Sequence, residues 1–227
     1  MSENGTIEID YFSDLLCVWA YLAQARLDEL AATFGAQVRI RYRYFNLFGD
    51  TAHKIGLGWA DRGGYRGFGE HLHEVGQQFE HIELHRGLWT EVRPLSSSGS
   101  HLAVKAAQLS GTPGKDAALL ADRYAWALRL AFFRDGRDIS DWVTQASIAE
   151  HVGLQPAALD AEIRSGRAHA ALAADERDRQ AHRVHGSPTF VLNEGRQVLF
   201  GNVGYRVLEA NVRELLREPT AGTASWC

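Results

Sequence analysis

The side chains best suited to nucleophilic chemistry in this 227-residue chain are its two cysteines, Cys17 and Cys227. They lack the spacing of metal ligands and cannot build a disulfide framework, so each is a candidate for a single reactive thiol. Cys17 stands where an alternating segment gives way to one with helical periodicity. A thiol at a helix N-terminus faces unpaired N–H groups and the positive end of the helix dipole, which lowers its pKa. The sequence therefore predicts a nucleophilic thiolate at Cys17, with a buried, unreactive cysteine as the alternative.

The elements that would position Cys17 follow from hydrophobic periodicity. The predicted elements are, in chain order, a strand over 6–12, a helix over 17–34, a strand over 38–46, a hairpin with strands over 189–192 and 197–200, and a helix over 205–216. The first strand, helix and strand make one βαβ unit, and the short hairpin connection makes the last two strands antiparallel.

A long segment without a strand pattern separates these two groups of elements. Residues 50–69 hold six glycines, a composition typical of a mobile loop or lid. The helices predicted after it cover 65–79, 100–109, 115–133, 140–152 and 156–185, the last with at least one break. We therefore expect a core of residues 1–48 and 186–217, a helical insertion over 49–185, and a flexible tail over 218–227.

The residues around Cys17 resemble the active-site segment of the DsbA-type oxidoreductases. The segment SDLLCVWAYL over 13–22 is similar to that family's segment, in which the usual pattern is Cys-Pro-Trp-Cys-Tyr. The matching residues are Asp14, Cys17, Trp19 and Tyr21. Val18 replaces the proline and Ala20 replaces the second cysteine.

A second motif, GSPTFVL over 186–192, is similar to the loop in which that family carries a cis-proline beside the thiol. The resemblance implies that Pro188 is cis and that its loop lies against Cys17. The backbone of Ser187 would then be open to an extended peptide or to glutathione by strand addition. A trans-proline that starts a strand is the alternative from the sequence alone. A third stretch, 128–141, is similar to the family's helical insertion.

The resemblance implies an α/β, thioredoxin-like fold, β-α-β followed by β-β-α, with a large all-helical insertion. It also implies a thiol-disulfide oxidoreductase in which Trp19 and Tyr21 flank the thiol and Ser187 and Pro188 shape the substrate edge. Because position 20 carries no thiol, a mixed disulfide on Cys17 would have to be resolved by an external thiol. This is a monothiol mechanism.

Two other functions stay open. Kappa-class glutathione transferases and 2-hydroxychromene-2-carboxylate isomerases share this architecture with a serine near the position of Cys17 and activate the sulfur of glutathione. A peptide-binding module without turnover is the other alternative, because the second cysteine is missing. Asp14 and His185 are further candidate site residues, His185 as a donor to either sulfur. Cys227 is a candidate distant resolving thiol.

Composition and charge point away from other classes of function. The net charge is −4 and no long basic run occurs, so no nucleic-acid partner is expected. The first residues lack a signal-peptide pattern and no apolar stretch reaches membrane-spanning length, so a cytoplasmic protein is expected. His81 and His85 lack the zincin arrangement, and no metal site is expected.

No tightly bound cofactor is expected from the sequence. The expected partner is glutathione or another low-molecular-weight thiol, or a disulfide-containing or extended peptide. The apolar residues are unevenly distributed in the predicted insertion, so a homodimer is a further alternative.

Overall fold

The computed structural model describes residues 6–110 and 115–217. Its strands are β1 (Ile7–Ser13), β2 (Val38–Tyr44), β3 (Thr189–Leu192) and β4 (Gln197–Phe200). They form one sheet in the order β2-β1-β3-β4. β1 runs parallel to β2 and antiparallel to β3, and β3 pairs antiparallel with β4. The predicted α/β fold is confirmed. The carboxyl end of β1 and the start of β3 therefore lie at the same edge of the sheet.

The helices fall into two groups along the chain. They are α1 (Val18–Phe34), α2 (Gly64–Gly76), α3 (Ser98–Leu109), α4 (Lys115–Phe133), α5 (Trp142–His151), α6 (Pro156–Arg164), α7 (Arg167–Ala181) and α8 (Tyr205–Leu216). α1 crosses over between the parallel strands, and α8 follows the hairpin. The break expected within 156–185 occurs between α6 and α7 at Gly166, whose φ of 82° lies in the left-handed region that favours glycine.

The glycine-rich segment 50–69 differs from the loop expected there. It folds into the helical turns Ala52–Leu57 and Ala60–Arg62 and then into the start of α2. Ile55 is fully buried, and Trp59 packs edge-on against Phe68 at a centroid distance of 5.0 Å. Ile55 and Trp59 are thus packed against the protein, whereas Leu57 of the same segment is exposed. The glycines permit close backbone packing between the turns.

A buried ion-pair cluster ties α3 and α7 to β2. The carboxylate of Asp175 on α7 is fully buried and accepts hydrogen bonds from the Tyr44 amide at 2.9 Å and from Arg43 at 3.1 Å. Lys105 of α3 lies 2.7 Å from the same carboxylate. Arg43 also pairs with Asp10 of β1 at 2.9 Å. Every charge of this Asp175 cluster therefore meets an opposite charge.

Candidate active site

Cys17 lies in the turn between β1 and α1 and is the residue that caps the start of α1. Its backbone is extended, with φ −84° and ψ 116°, and its carbonyl accepts hydrogen bonds from the amides of Ala20 and Tyr21, each at 3.1 Å. The side chain is only 4% exposed. The sequence thus places the thiol at a helix N-terminus as expected, but the sulfur is covered by protein.

The loop before β3 closes over this thiol. The Ser187–Pro188 peptide bond is cis, and the Cys17 thiol donates to the Ser187 carbonyl with an Sγ–O distance of 3.3 Å. The Ser187 Oγ accepts from the Asp14 amide at 3.0 Å. Two hydrogen bonds therefore join segments that are 170 or more positions apart in sequence. The carbonyl of Pro188 is already occupied by the Gly201 amide at 2.9 Å.

The pKa of the Cys17 thiol is raised, contrary to the expectation from its helix position. Burial, which penalises the thiolate, is the largest cause. Hydrogen bonds from the Ser187 side chain and the Ala20 amide lower the pKa, the nearby charge of Asp14 raises it, and that of Arg129 lowers it. The prediction of a lowered pKa was wrong, because the desolvation of the sulfur is the largest effect.

Asp14 is a fully buried carboxylate that organises the turn without bonding to the sulfur. It accepts from the Leu16 amide at 2.8 Å, the Phe48 amide at 2.8 Å and the Ser97 hydroxyl at 2.7 Å. Burial alone would raise the pKa of Asp14, but His101 and the hydrogen bonds from Phe48 and Ser97 lower it below its usual value. Asp14 is therefore an ionised anchor that links the turn to the segment after β2 and to α3.

His101 on α3 completes that anchor. The Leu15 amide lies 3.1 Å from its Nε2, and the Oδ1 of Asp14 lies 3.6 Å from the same nitrogen. Nδ1 lies 2.8 Å from the Oδ1 of Asn46. His101 is fully buried, and no motif in the sequence indicated that this histidine contacts the turn.

Arg129 on α4 contacts the same turn. One terminal nitrogen donates to the carbonyls of Asp14 at 2.9 Å and Leu15 at 3.4 Å, and the other donates to the Ser13 hydroxyl at 2.9 Å. The residue is 4% exposed. Sequence reasoning missed it as a site residue, although it lies in the 128–141 stretch. The sequence signal that could have identified Arg129 is its position as a charged residue within an apolar stripe of α4, one turn from Ala125 and Phe133.

The two aromatic residues expected beside the thiol occupy different surroundings. Trp19 is half-buried and packs edge-on against Phe79 at a centroid distance of 6.4 Å. Tyr21 is buried and stacks on Phe133 at 4.7 Å and on Trp126 at 5.3 Å. Tyr21 thus joins α1 to α4 by packing, while Trp19 keeps part of its surface open near the start of α1.

His185 is exposed and lines a groove of about 600 Å³ between the end of β2 and α7. The groove is lined by residues that include Asn46, Leu47, His169, Leu172, Arg179 and His185. Cys17 is not among the lining residues, and no hydrogen bond joins His185 to Cys17 in the described part of the chain. The groove adjoins the active-site loop through His185 and the anchor through Asn46.

Two further observations concern membranes and metals. Within residues 6–110 and 115–217, no helix is long and apolar enough to cross a membrane. The same residues hold no cluster of three or more histidine, cysteine or acidic side chains arranged to bind a metal ion. Cys227 and the expected tail lie outside the described residues.

The fold is similar to that of several solved structures. A cytosolic disulfide reductase, DsbM, from Pseudomonas aeruginosa is 21% identical, with a TM-score of 0.66 over 91% of this chain and 98% of the other. A 2-hydroxychromene-2-carboxylate isomerase is 22% identical, with a TM-score of 0.61 over 92% of this chain and 95% of the other. No curated protein matches the sequence.

A protein-family model also matches most of the chain. The model for the DSBA-like thioredoxin domain matches residues 8–213, which include the Cys17 turn, the helices between β2 and β3, and the Ser187–Pro188 loop. The chain belongs to the family of DSBA-like thioredoxin domains.

Proposed function

We propose that this protein is a thiol-disulfide oxidoreductase that works through Cys17 alone. The observation that carries the proposal is the contact of the Cys17 sulfur, 3.3 Å from the Ser187 carbonyl, with the loop that holds the cis Ser187–Pro188 bond. Ala20 occupies the place of a second thiol, and Cys17 is the one cysteine among the described residues. An internal disulfide with position 20 is therefore ruled out.

The proposed reaction is an exchange in two steps. The Cys17 thiolate attacks one sulfur of a disulfide, so that a new Sγ–S bond forms, the old S–S bond breaks and the other sulfur leaves as a thiolate. An external thiolate then attacks the substrate sulfur of this mixed disulfide and releases Cys17. One external thiol has entered a disulfide, one substrate thiol has been released, and Cys17 is regenerated.

Ser187 has two roles in this proposal. Its hydroxyl, held by the Asp14 amide, stabilises the sulfur when it ionises, which matches the lowering effect of the Ser187 side chain on the pKa of Cys17. Once the thiol has lost its proton, the Ser187 carbonyl no longer accepts from it and is open to an N–H of an extended substrate. Substrate binding and activation of the sulfur are thereby coupled at one residue.

The substrate class in this proposal is a small thiol or an extended disulfide-bearing peptide, and the location is the cytoplasm. The cytosolic reductase from Pseudomonas aeruginosa has also been solved with GSH, with 21% identity to this chain and a TM-score of 0.65. A reducing compartment suits a mechanism that needs an external thiol to release Cys17.

A glutathione-dependent isomerase or transferase is the second candidate. The observation in its favour is that Cys17 is buried with a raised pKa, so its own nucleophilicity is suppressed while the Ser187 hydroxyl and the first turn of α1 remain available to a ligand sulfur. In that case the reacting sulfur would belong to glutathione.

Intact-mass measurement after oxidised glutathione and then reduced glutathione separates the candidates. The proposal expects one reversible glutathionyl adduct on the wild type and on Cys227→Ala, and none at this site on Cys17→Ala. An adduct confined to Cys227 would contradict it. Glutathione-dependent turnover that survives Cys17→Ser would support the isomerase or transferase instead. Peptide binding without any adduct would support the third function, a peptide-binding module without turnover.

A further inference from the structure

Arg129 is a buried cation whose contacts are all neutral. Burying a guanidinium costs free energy unless its donors and its charge are satisfied. The donors are satisfied by the carbonyls of Asp14 and Leu15 and by the Ser13 hydroxyl. No described carboxylate lies within ion-pair distance of it. Asp14 accepts from Arg129 through its backbone carbonyl, while the Asp14 carboxylate accepts from Leu16, Phe48 and Ser97.

The half-buried Arg43 of the Asp175 cluster is compensated differently. Arg43 meets Asp10 at 2.9 Å and Asp175 at 3.1 Å. Arg129 instead contacts the turn before Cys17, and its hydrogen-bond partners are two carbonyls and the Ser13 hydroxyl. A negative charge that forms in this turn would therefore meet a cation already in place.

We propose that Arg129 is a positioning residue for Cys17, which holds the 13–16 turn by its carbonyls and supplies the positive charge that the ionised sulfur faces. This inference rests on the proposed function, because only an ionised sulfur makes use of that charge. Arg129 does not touch the sulfur. It acts through the backbone of the turn and through space.

The other groups around the sulfur do not replace that charge. From β1, the Tyr11 hydroxyl is fully buried with a raised pKa and stays neutral. From the turn, Asp14 contributes a negative charge that opposes ionisation, and His101 of α3 faces Asp14 and Leu15. Ser187 and the Ala20 amide offer neutral hydrogen bonds. Within the described residues, Arg129 is thus the cation that favours the thiolate, in agreement with its lowering effect on the pKa of Cys17.

Titration of the thiolate by its ultraviolet absorbance tests the inference in a Cys227→Ala background. We compare Arg129→Gln, which keeps hydrogen-bond donors without the charge, with Arg129→Lys, which keeps the charge. Arg129→Gln should raise the midpoint of Cys17 by about one pH unit or more, and Arg129→Lys should restore most of that shift. The exposed Arg123→Gln on the same helix is the matched control and should leave the midpoint unchanged.

Equal midpoints in folded Arg129→Gln and Arg129→Lys would overturn the inference, even if both variants were less stable than the wild type. Arg129→Met should behave like Arg129→Gln where it folds. The titration requires no turnover, so its outcome is separate from that of the glutathione experiment. A charge-dependent midpoint without any mixed disulfide would contradict the proposed function alone.

Discussion

Asp175 and Asp14 are both fully buried carboxylates, yet they are compensated in different ways. Asp175 is met by two cations, Arg43 at 3.1 Å and Lys105 at 2.7 Å. Asp14 accepts from two backbone amides and a hydroxyl and has the His101 ring 3.6 Å away, and Arg129 of α4, which contacts the same turn, bonds to carbonyls and a hydroxyl instead. The first arrangement cancels its charges locally. The second leaves two opposite charges apart, with the Cys17 sulfur exposed to the field of both.

The difference separates a packing role from a chemical one. Paired charges produce little electric field beyond the pair. Removing one partner leaves the other charge buried and unpaired, which lowers the free energy of unfolding. Charges held by neutral dipoles keep their field and can shift the pKa of a neighbouring group. We therefore expect changes in the Asp175 cluster to alter stability and changes around the Cys17 turn to alter ionisation of the thiol.

The largest effect on stability should come from Asp175→Asn. It leaves the buried Lys105 without its carboxylate and removes one of the carboxylates that the half-buried Arg43 meets, a change that costs about 3–5 kcal/mol of unfolding free energy. Denaturant unfolding measures it, and the midpoint of Cys17 titration in the folded variant should stay as in the wild type. Asp178→Asn is the matched control, because Asp178 pairs with Arg43 at 3.3 Å but is 44% exposed. Its loss should stay below about 1 kcal/mol. Equal losses in both variants would remove the distinction between the clusters.

Asp14→Asn should affect both stability and ionisation. The folded pKa of Asp14 is lowered, so its contribution to stability is present above the pKa of the unfolded chain, about 4, and is lost as the pH falls through the folded pKa. The variant should therefore lose less stability than the wild type on acidification below about pH 4. Because the charge of Asp14 raises the pKa of Cys17, the variant should also titrate its thiol at lower pH. Unfolding curves across this range and thiolate absorbance measure the two effects.

An unchanged or higher thiol midpoint in Asp14→Asn would show that Asp14 acts on Cys17 through geometry and not through charge. The change in unfolding free energy below about pH 4 is an independent measurement. If this change were the same in Asp14→Asn and the wild type, the Asp14 carboxylate would have to titrate alike in the folded and unfolded chains.

The order of elements and the position of the thiol could be predicted because they depend on local patterns. Alternation, helical spacing and the turn at Asn193–Gly195 each involve residues close in sequence, and the break at Gly166 falls within the segment where a break was expected. The juxtaposition of Cys17 with Ser187 was implied by two motifs that resemble one family.

The polar surroundings of the thiol could not be predicted in the same way. His101 and Arg129 belong to different helices of the insertion, and only the packing of α3 and α4 decides that both reach one turn. The predicted direction of the pKa shift of Cys17 was wrong for the same reason. The helix N-terminus is a local feature of Cys17, whereas its burial is produced by distant segments such as the Ser187 loop.

The smallest of the expected effects concerns Ser187, because its hydroxyl is neutral and the larger effect of burial opposes its lowering of the pKa of Cys17. Ser187→Ala removes the group that accepts from the Asp14 amide and lowers the pKa of Cys17, so the thiol should titrate at higher pH. Loss of such a bond costs about 0.5–1.5 kcal/mol of stability. The rate of glutathionylation at a fixed neutral pH should fall with the thiolate fraction.

Thr189→Val is the matched control, since the Thr189 hydroxyl donates to the Gly186 carbonyl at 2.7 Å next to the same loop. It should lose similar stability with no change in the thiol midpoint. If both variants shifted that midpoint alike, the loop would act on Cys17 only by its shape, and the hydroxyl of Ser187 would have no part in stabilising the ionised sulfur.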